Sequence, residues 1–213
     1  MRKPGFAICP EGAAMIGISC FSAIFFAILG WWIPGLAFWL IAIFSLHFFR
    51  DPERVGLADP DIALSPADGT VIRIAERPSP FGGEPMQCVS IFMSVFNVHV
   101  NRAPVSCRVD AFKYYPGAFF NASFDKASEK NERCAWLLTD DSGNQWVMVQ
   151  IAGLIARRIV CRAEPGDRLE AGQRVGMIRF GSRVDLYLPP GYAPSVELKA
   201  RVYAGETVIA RKK

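Results

Sequence analysis

Apolar side chains dominate the first fifty residues. From Gly12 to Phe49 the chain contains no Asp, Glu, Lys or Arg, and this run is interrupted once, at Trp31–Gly35. Proline and glycine interrupt helices, and tryptophan favours the membrane interface. The pattern therefore predicts two apolar helical arms, Ala13 to Gly30 and Leu36 to Phe49, that are joined by a turn.

The lengths of the two arms fit a membrane-associated hairpin. The 18 residues of the first arm reach about 27 Å, close to the ~30 Å of a bilayer core, and the second arm reaches only about 21 Å. Two short spans and a hairpin that dips into one leaflet both agree with these lengths. A cleaved signal peptide is disfavoured, because the apolar stretch is too long and lacks a small-x-small cleavage site before a polar segment.

Positive charges flank this hairpin on both sides. Arg2 and Lys3 precede it, and Arg50 and Arg54 follow it. Because positively charged flanks stay in the cytoplasm, both ends of the hairpin are expected there. The sequence thus predicts a first domain, residues 1–50, in which residues 12–49 anchor the chain to the cytoplasmic face of the cell membrane.

After Arg50 the pattern changes to short strand-like runs separated by turn residues. Turn signals include Pro-Phe-Gly-Gly at 80–83 and Asp-Asp-Ser-Gly-Asn at 140–144. Short strands at this spacing predict a mainly β second domain, sandwich- or barrel-like, over residues 51–213. Residues 116–133 read as a long loop, and such loops are often functional. The predicted strands are Val71–Ile74, Cys88–Phe92, Trp146–Ile151, Arg157–Cys161, Arg174–Arg179, Val184–Leu188 and Ser195–Tyr203.

Composition and charge narrow the functional classes. The chain is 51% hydrophobic with a formal net charge of +4, which excludes a disordered chain, a coiled coil and a collagen-like fibre. No basic run with interleaved aromatics occurs, so no nucleic-acid partner is expected. The six cysteines show no C-x-x-C spacing and there are two histidines, so no metal site is expected. Reduced, packed thiols fit a cytosol-facing domain.

Four local motifs carry candidate chemistry. They are Phe-Phe-Arg-Asp-Pro at 48–52, Ser-Pro-Ala-Asp-Gly-Thr-Val at 65–71, Phe-Asn-Val-His-Val-Asn-Arg-Ala-Pro at 96–104 and Phe-Gly-Ser-Arg at 180–183. Taken singly, each has an ordinary explanation: a membrane exit, a turn, a structural histidine and a bulge. His99 is the only histidine outside the apolar segment, so any imidazole acid–base chemistry in the β domain falls to it.

In this order, and over essentially the whole chain, the four motifs resemble the short membrane-tethered form of the phosphatidylserine decarboxylase family. The resemblance implies a proenzyme that cuts itself between Gly181 and Ser182 into a β chain, 1–181, and an α chain, 182–213. Ser182 would become a covalent pyruvoyl group, which takes the place of pyridoxal phosphate and forms a Schiff base with the substrate amine. The implied reaction converts phosphatidylserine to phosphatidylethanolamine and CO₂.

The residue types suit such self-cleavage. Glycine before serine offers an unhindered carbonyl and tolerates strained backbone geometry. The Ser182 hydroxyl can attack the Gly181 carbonyl, provided that a base takes its proton. His99 is the candidate acid–base group, and the family resemblance casts Asp68 as its orienter or as the base for self-cleavage. Arg102 is the candidate contact for the substrate phosphate, with an ordinary surface arginine as the alternative.

Two departures from the long form of the family bear on these roles. The long form has Leu-Gly-Ser-Thr at the cut, where this chain has Phe180 and Arg183 around Gly-Ser. The long form also has two histidines in Asp-x-His-x-x-His-x-Pro, and here the matching positions are Asn97, His99 and Arg102. The base for self-cleavage therefore stays open between His99 and an aspartate assisted by water. The expected partners are membrane phosphatidylserine and the two chains of the proenzyme, with a homodimer as a further candidate assembly.

Two other classes of protein compete with this interpretation. A membrane-anchored binding module with lipoyl- or biotinyl-like β hairpins would suit the run Glu164–Gln173, but residues 180–183 lack the exposed lysine that such a carrier needs. A membrane serine hydrolase could use Ser182, His99 and Asp68, but the chain lacks a G-x-S-x-G elbow. The lipoyl-like hairpin topology also remains compatible with the decarboxylase interpretation.

Overall fold

The computed structural model describes residues 6–57, 59–118, 120, 122, 130–154, 159–179 and 181–213. The chain divides into two compact units, Met1–Glu53 and Arg54–Lys213. Each unit has its own secondary structure, and the proposed chemistry lies entirely in the second.

The first unit is a helical hairpin closed by a short strand pair. Helix α1 (Ala13–Ile28) follows a 3₁₀ turn at Pro10–Gly12, and helix α2 (Trp32–Phe48) follows α1. Strand β1 (Phe6–Ile8) pairs antiparallel with β2 (Arg50–Pro52) across the two ends of the hairpin. The span Pro10–Ile28 is long and apolar enough to cross a membrane, and α2 is a shorter apolar helix.

The second helix begins earlier than the sequence predicted. We expected the break at Trp31–Gly35 and a second arm from Leu36, yet α2 starts at Trp32 and contains Pro34 in its first turn. Proline is tolerated there because the first N–H groups of a helix have no intrahelical acceptor. The chain reverses instead around Gly30, whose φ of +73° suits glycine.

The second unit is built from antiparallel strands. Its main sheet has eight strands in the order β11-β7-β8-β9-β13-β5-β4-β15, and two three-stranded sheets have the orders β10-β12-β6 and β14-β16-β3. The strands of this unit are β3 (Ile62–Leu64), β4 (Gly69–Arg77), β5 (Met86–Met93), β6 (Val100–Arg102), β7 (Cys107–Tyr115), β8 (Arg133–Asp140), β9 (Gln145–Ala152), β10 (Ile159–Cys161), β11 (Arg168–Leu169), β12 (Arg174–Ile178), β13 (Ser182–Leu188), β14 (Tyr192–Pro194), β15 (Arg201–Val202) and β16 (Val208–Lys212).

The predicted fold class is confirmed: the chain is mainly β with an N-terminal apolar helix pair. One predicted strand, Ser195–Tyr203, is wrong, because only its last part is extended, in β15, and Lys199 has a φ of +70° within a turn. Part of the predicted strand Arg157–Cys161 and much of the predicted loop 116–133 lie outside the described residues. The predicted strands do not include the long strands β7 and β8 or the short strands β3, β6, β11, β14 and β16.

The core lies on both faces of the main sheet. Successive side chains of a strand point to opposite faces, and β13 shows this alternation. Val184 and Leu186 belong to the larger cluster on one face, and Tyr187 belongs to a smaller cluster on the other. Ser182 therefore shares the face of Val184, towards the larger core.

Candidate active site

Ser182 occupies the first position of a central strand. It is opposite Met93 of β5 on one side and opposite Ala152 of β9 on the other. The residue is fully buried, and its Oγ has no hydrogen-bond partner among the described residues. A buried hydroxyl without a partner costs about 1–3 kcal/mol, so a position that keeps one invites a chemical explanation.

The residue before Ser182 has the backbone geometry that only glycine accepts readily. Gly181 has a φ of +51°, and a side chain added to it would meet no described atom within 4 Å. Its carbonyl packs directly on Gly153, because a Cβ on Gly153 would lie 1.9 Å from the Gly181 oxygen and 2.9 Å from its carbonyl carbon. Because Gly153 has no side chain, the Gly181 carbonyl can occupy this space. The sequence analysis did not predict this contact.

The register of the main sheet brings the Asp-Gly turn towards Ser182. Thr70 of β4 is opposite Phe92, which is itself opposite Arg183. Gly69 approaches this row closely, since a Cβ there would lie 2.2 Å from the Phe92 carbonyl oxygen. Asp68 thus stands at the same end of the sheet as Ser182, about two strand spacings away, or roughly 10 Å between backbones.

His99 reaches the same region from the end of β5. The chain turns at Ser94, whose carbonyl accepts a hydrogen bond from the Asn97 N–H at 3.0 Å. His99 is fully buried, and its Nδ1 lies 3.0 Å from the carbonyl oxygen of Asn97. With Nδ1–H donating to that oxygen, the lone pair of the neutral imidazole is on Nε2. Nε2 is then the atom that can accept a proton.

Asp68 is buried and held by two donors. One carboxylate oxygen accepts the Ala204 N–H at 2.7 Å, and the other accepts the Arg54 guanidinium at 3.0 Å. Arg54 also reaches Glu206 at 2.7 Å. The turn of Asp68 and the histidine motif are adjacent, because the Pro66 carbonyl accepts the Arg102 N–H at 3.0 Å. The predicted role of Asp68 towards His99 stays a prediction.

Arg102 is not a surface residue. Its side chain is 4% exposed, and its guanidinium donates to the Gly172 carbonyl oxygen at 2.9 Å. The alternative of an ordinary surface arginine is therefore wrong. The contact between the Arg102 guanidinium and the substrate phosphate stays a prediction.

A buried chain of side-chain hydrogen bonds, also absent from the sequence interpretation, supports the histidine motif. Trp136 donates to Gln150 at 3.0 Å, and Gln150 donates to Asn101 at 2.8 Å. Asn101 in turn approaches the Pro66 carbonyl at 3.5 Å. Buried polar groups are costly unless they are paired. These hydrogen bonds therefore hold the backbone next to His99 against the main sheet.

Comparison with known proteins identifies the family. The model of the phosphatidylserine decarboxylase family matches residues 41–210. A phosphatidylserine decarboxylase proenzyme of Oleidesulfovibrio alaskensis is 56% identical over 213 residues, covering 100% of this chain and 98% of the relative. The chain belongs to the phosphatidylserine decarboxylase family. Proenzymes of the same name from Nitratidesulfovibrio vulgaris and Burkholderia cenocepacia are 54% and 43% identical, each over 98% of its own length.

Family membership favours the decarboxylase interpretation over the binding module and the serine hydrolase. Arg183 is one of the departures from the long form of the phosphatidylserine decarboxylase family. Arg183 is 1% exposed and pairs with Asp185, with Nε 2.8 Å from the carboxylate. It also donates to the Ala122 carbonyl oxygen at 3.2 Å. Arg183 therefore anchors the backbone directly after Ser182, on the face opposite to the Ser182 side chain.

Among the described residues, no group of three or more His, Cys, Asp or Glu side chains is placed to hold a metal ion. The expectation that the protein uses no metal stays a prediction. Around Ser182 the structure instead brings together a buried hydroxyl without a partner among the described residues, a glycine before it and the nearby histidine motif.

Proposed function

We propose that the protein is a pyruvoyl-dependent phosphatidylserine decarboxylase that makes its own cofactor by cleavage between Gly181 and Ser182. The observation that carries this proposal is the fully buried Ser182 Oγ, without a partner among the described residues, next to a glycine in the left-handed region. A buried polar group without a partner calls for an explanation, and a catalytic role supplies one. The relatives named as proenzymes support the same conclusion.

Self-cleavage begins with the Ser182 hydroxyl. Its oxygen bonds to the Gly181 carbonyl carbon, a base takes the hydroxyl proton, and the Gly181–Ser182 C–N bond breaks as the nitrogen gains a proton. The resulting ester then loses the Gly181 carboxylate by β-elimination, with the Ser182 α-proton going to a base. Water hydrolyses the remaining enamine and ammonia leaves. The products are a β chain, 1–181, and an α chain, 182–213.

His99 is the proposed acid–base group of the decarboxylation, and either His99 or Asp68 is the base for self-cleavage. Its ring is buried, and its Nδ1 is tied to the Asn97 carbonyl, so Nε2 is the atom that exchanges protons. The Asp68 carboxylate is held in place by Arg54 and the Ala204 N–H, in the turn next to the histidine motif. In this proposal Asp68 orients His99 or acts as the base for cleavage, with the choice decided by mutagenesis.

The residues also suit the decarboxylation. A pyruvoyl group at position 182 would supply a carbonyl that condenses with the substrate amine and withdraws electrons as CO₂ leaves. The surroundings of Ser182 are buried, and a low-dielectric site favours loss of charge from the substrate carboxylate. His99 supplies the proton that replaces the carboxylate. Arg102 is the proposed phosphate contact, and the apolar hairpin is the proposed tether to the cytoplasmic face of the membrane.

Ser182→Ala tests this proposal. The variant lacks both the nucleophile and the leaving oxygen, so neither chain separation nor conversion of phosphatidylserine to phosphatidylethanolamine is expected. Ser90→Ala is the matched control and should be cleaved and active. Ser90, in the neighbouring strand β5, is a fully buried serine whose Oγ also has no hydrogen-bond partner among the described residues, but it follows Val89 and not a glycine. Borohydride, which reduces ketones, should inactivate wild-type protein. A Ser182→Ala protein that separates into two chains would overturn the assignment.

A further inference from the structure

Two of the six cysteines face each other across the core. None of the six cysteines, all of which lie among the described residues, forms a disulfide bond. The sulfur atoms of Cys134 and Cys161 lie 3.4 Å apart, within contact of each other. Cys134 is fully buried, and Cys161 is partly exposed. The pair therefore combines a partly exposed cysteine with a fully buried cysteine in contact with it.

The two cysteines belong to different sheets. Cys134 is in β8 of the main sheet, two strands from β13, which begins at Ser182. Cys161 is in β10 of the three-stranded sheet β10-β12-β6, and β6 directly follows His99. A covalent bond between the sulfurs would link the main sheet, which carries Ser182, to the three-stranded sheet whose strand β6 follows His99.

We propose that Cys134 and Cys161 form an oxidisable dithiol, which a peroxide converts into an intramolecular disulfide joining the two sheets. In the first step the Cys161 sulfur bonds to one peroxide oxygen, the O–O bond breaks, and sulfenic acid and water result. In the second step the Cys134 sulfur bonds to the Cys161 sulfur, the S–O bond breaks, and a second water leaves. Two thiols lose two electrons and one peroxide is reduced to two waters.

The environments of the two sulfurs set the order of these steps. The hydrogen bond from Cys134 lowers the pKa of the Cys161 thiol, although burial opposes this. Burial, together with the same contact, raises the pKa of Cys134. The thiolate is the nucleophile towards peroxide, so the accessible Cys161 is oxidised first and Cys134 resolves it. Cys107 shows the contrast: burial raises its pKa to about 12.

Peroxide treatment of the full-length protein tests the proposal. A Cys20→Ala background removes an exposed thiol of the apolar helix. After hydrogen peroxide, non-reducing peptide mapping should recover Cys134 and Cys161 in one linked peptide pair, which dithiothreitol separates. The oxidised protein should unfold at a higher temperature than the reduced protein, because the bond closes a loop between residues 27 positions apart.

Two variants make the result decisive. In Cys134→Ala no resolving thiol is present, so Cys161 should accumulate as sulfenic acid, which dimedone traps. In Cys107→Ala the linked peptide pair should form as in the background. Recovery of unlinked Cys134 and Cys161 after peroxide would overturn the proposal. So would Cys161 sulfenic acid that persists while Cys134 is present and is labelled by dimedone added after the peroxide has been removed. Neither readout needs decarboxylase activity, so the proposed function and this proposal can fail separately.

Discussion

The contact between Gly153 and the Gly181 carbonyl predicts that Gly153→Ala slows maturation. Carbon atoms essentially never approach within 3.0 Å in such contacts, and the new Cβ would lie 1.9 Å from the carbonyl oxygen. The two groups must therefore separate by more than about 1 Å. A misplacement of about 1 Å can cost a reaction ~100-fold, which corresponds to about 2.7 kcal/mol in the barrier. We expect the Gly153→Ala proenzyme to cleave about 100-fold more slowly than wild type.

Gly176→Ala is the matched control for this experiment. A Cβ on Gly176 would lie 2.2 Å from the Val160 carbonyl oxygen, so it makes a comparable clash with a carbonyl that does not react. The assay follows the conversion of freshly synthesised chain into two chains on a gel, with urea unfolding of each proenzyme alongside. Cleavage of Gly153→Ala at the wild-type rate would refute the reasoning. Equal slowing of both variants, in proportion to lost stability, would refute it as well.

Three further predictions concern other parts of the chain. Arg102→Ala should raise KM for phosphatidylserine with kcat nearly intact, as expected when a binding contact is lost; unchanged kinetics would remove Arg102 from the site. Deleting residues 1–53 should leave a folded, self-cleaving β unit, because both core clusters lie within residues 54–213. Activity on bilayers should then fall far more than activity on a soluble short-chain analogue, and equal losses would contradict a tether. Burial alone would raise the pKa of Asp140, but hydrogen bonds from Trp146 and Asn144 lower it below 3.8. The stability that Asp140 contributes is therefore present above pH 3.8 and lost as the pH falls through the lower folded-state pKa. Urea unfolding at successive pH values should show this loss in wild type and a weaker one in Asp140→Asn.

The sequence predicts the broad architecture because hydrophobic pattern decides it. The charge-free run from Gly12 to Phe49 predicts the helix pair, and short apolar runs between turn residues predict the β unit. Local detail is less predictable. Pro34 reads as a break, but it is accommodated in the first turn of α2. Ser195–Tyr203 reads as a strand, but its backbone turns at Lys199.

The candidate site shows the same division. Ser182, His99 and Asp68 are visible in the sequence because they lie in motifs that resemble a known family. Gly153 and Gln150 carry no such signal, since a glycine after a strand and a glutamine within one are ordinary residues. Their importance comes from contacts across strands, with the Gly181 carbonyl and with Asn101. Such contacts depend on register, which the pattern of apolar residues does not specify to the atom.

The mass of the purified wild-type protein tests the central claim most directly. The account predicts two polypeptides, residues 1–181 and 182–213. It also predicts that the shorter chain is lighter, by one ammonia, than a peptide that begins with serine, because the N-terminal amine has been replaced by a ketone. That chain should resist amine labelling and should gain two hydrogens on borohydride treatment. A single chain of 23.6 kDa, or a shorter chain that begins with a free serine amine, would contradict the account.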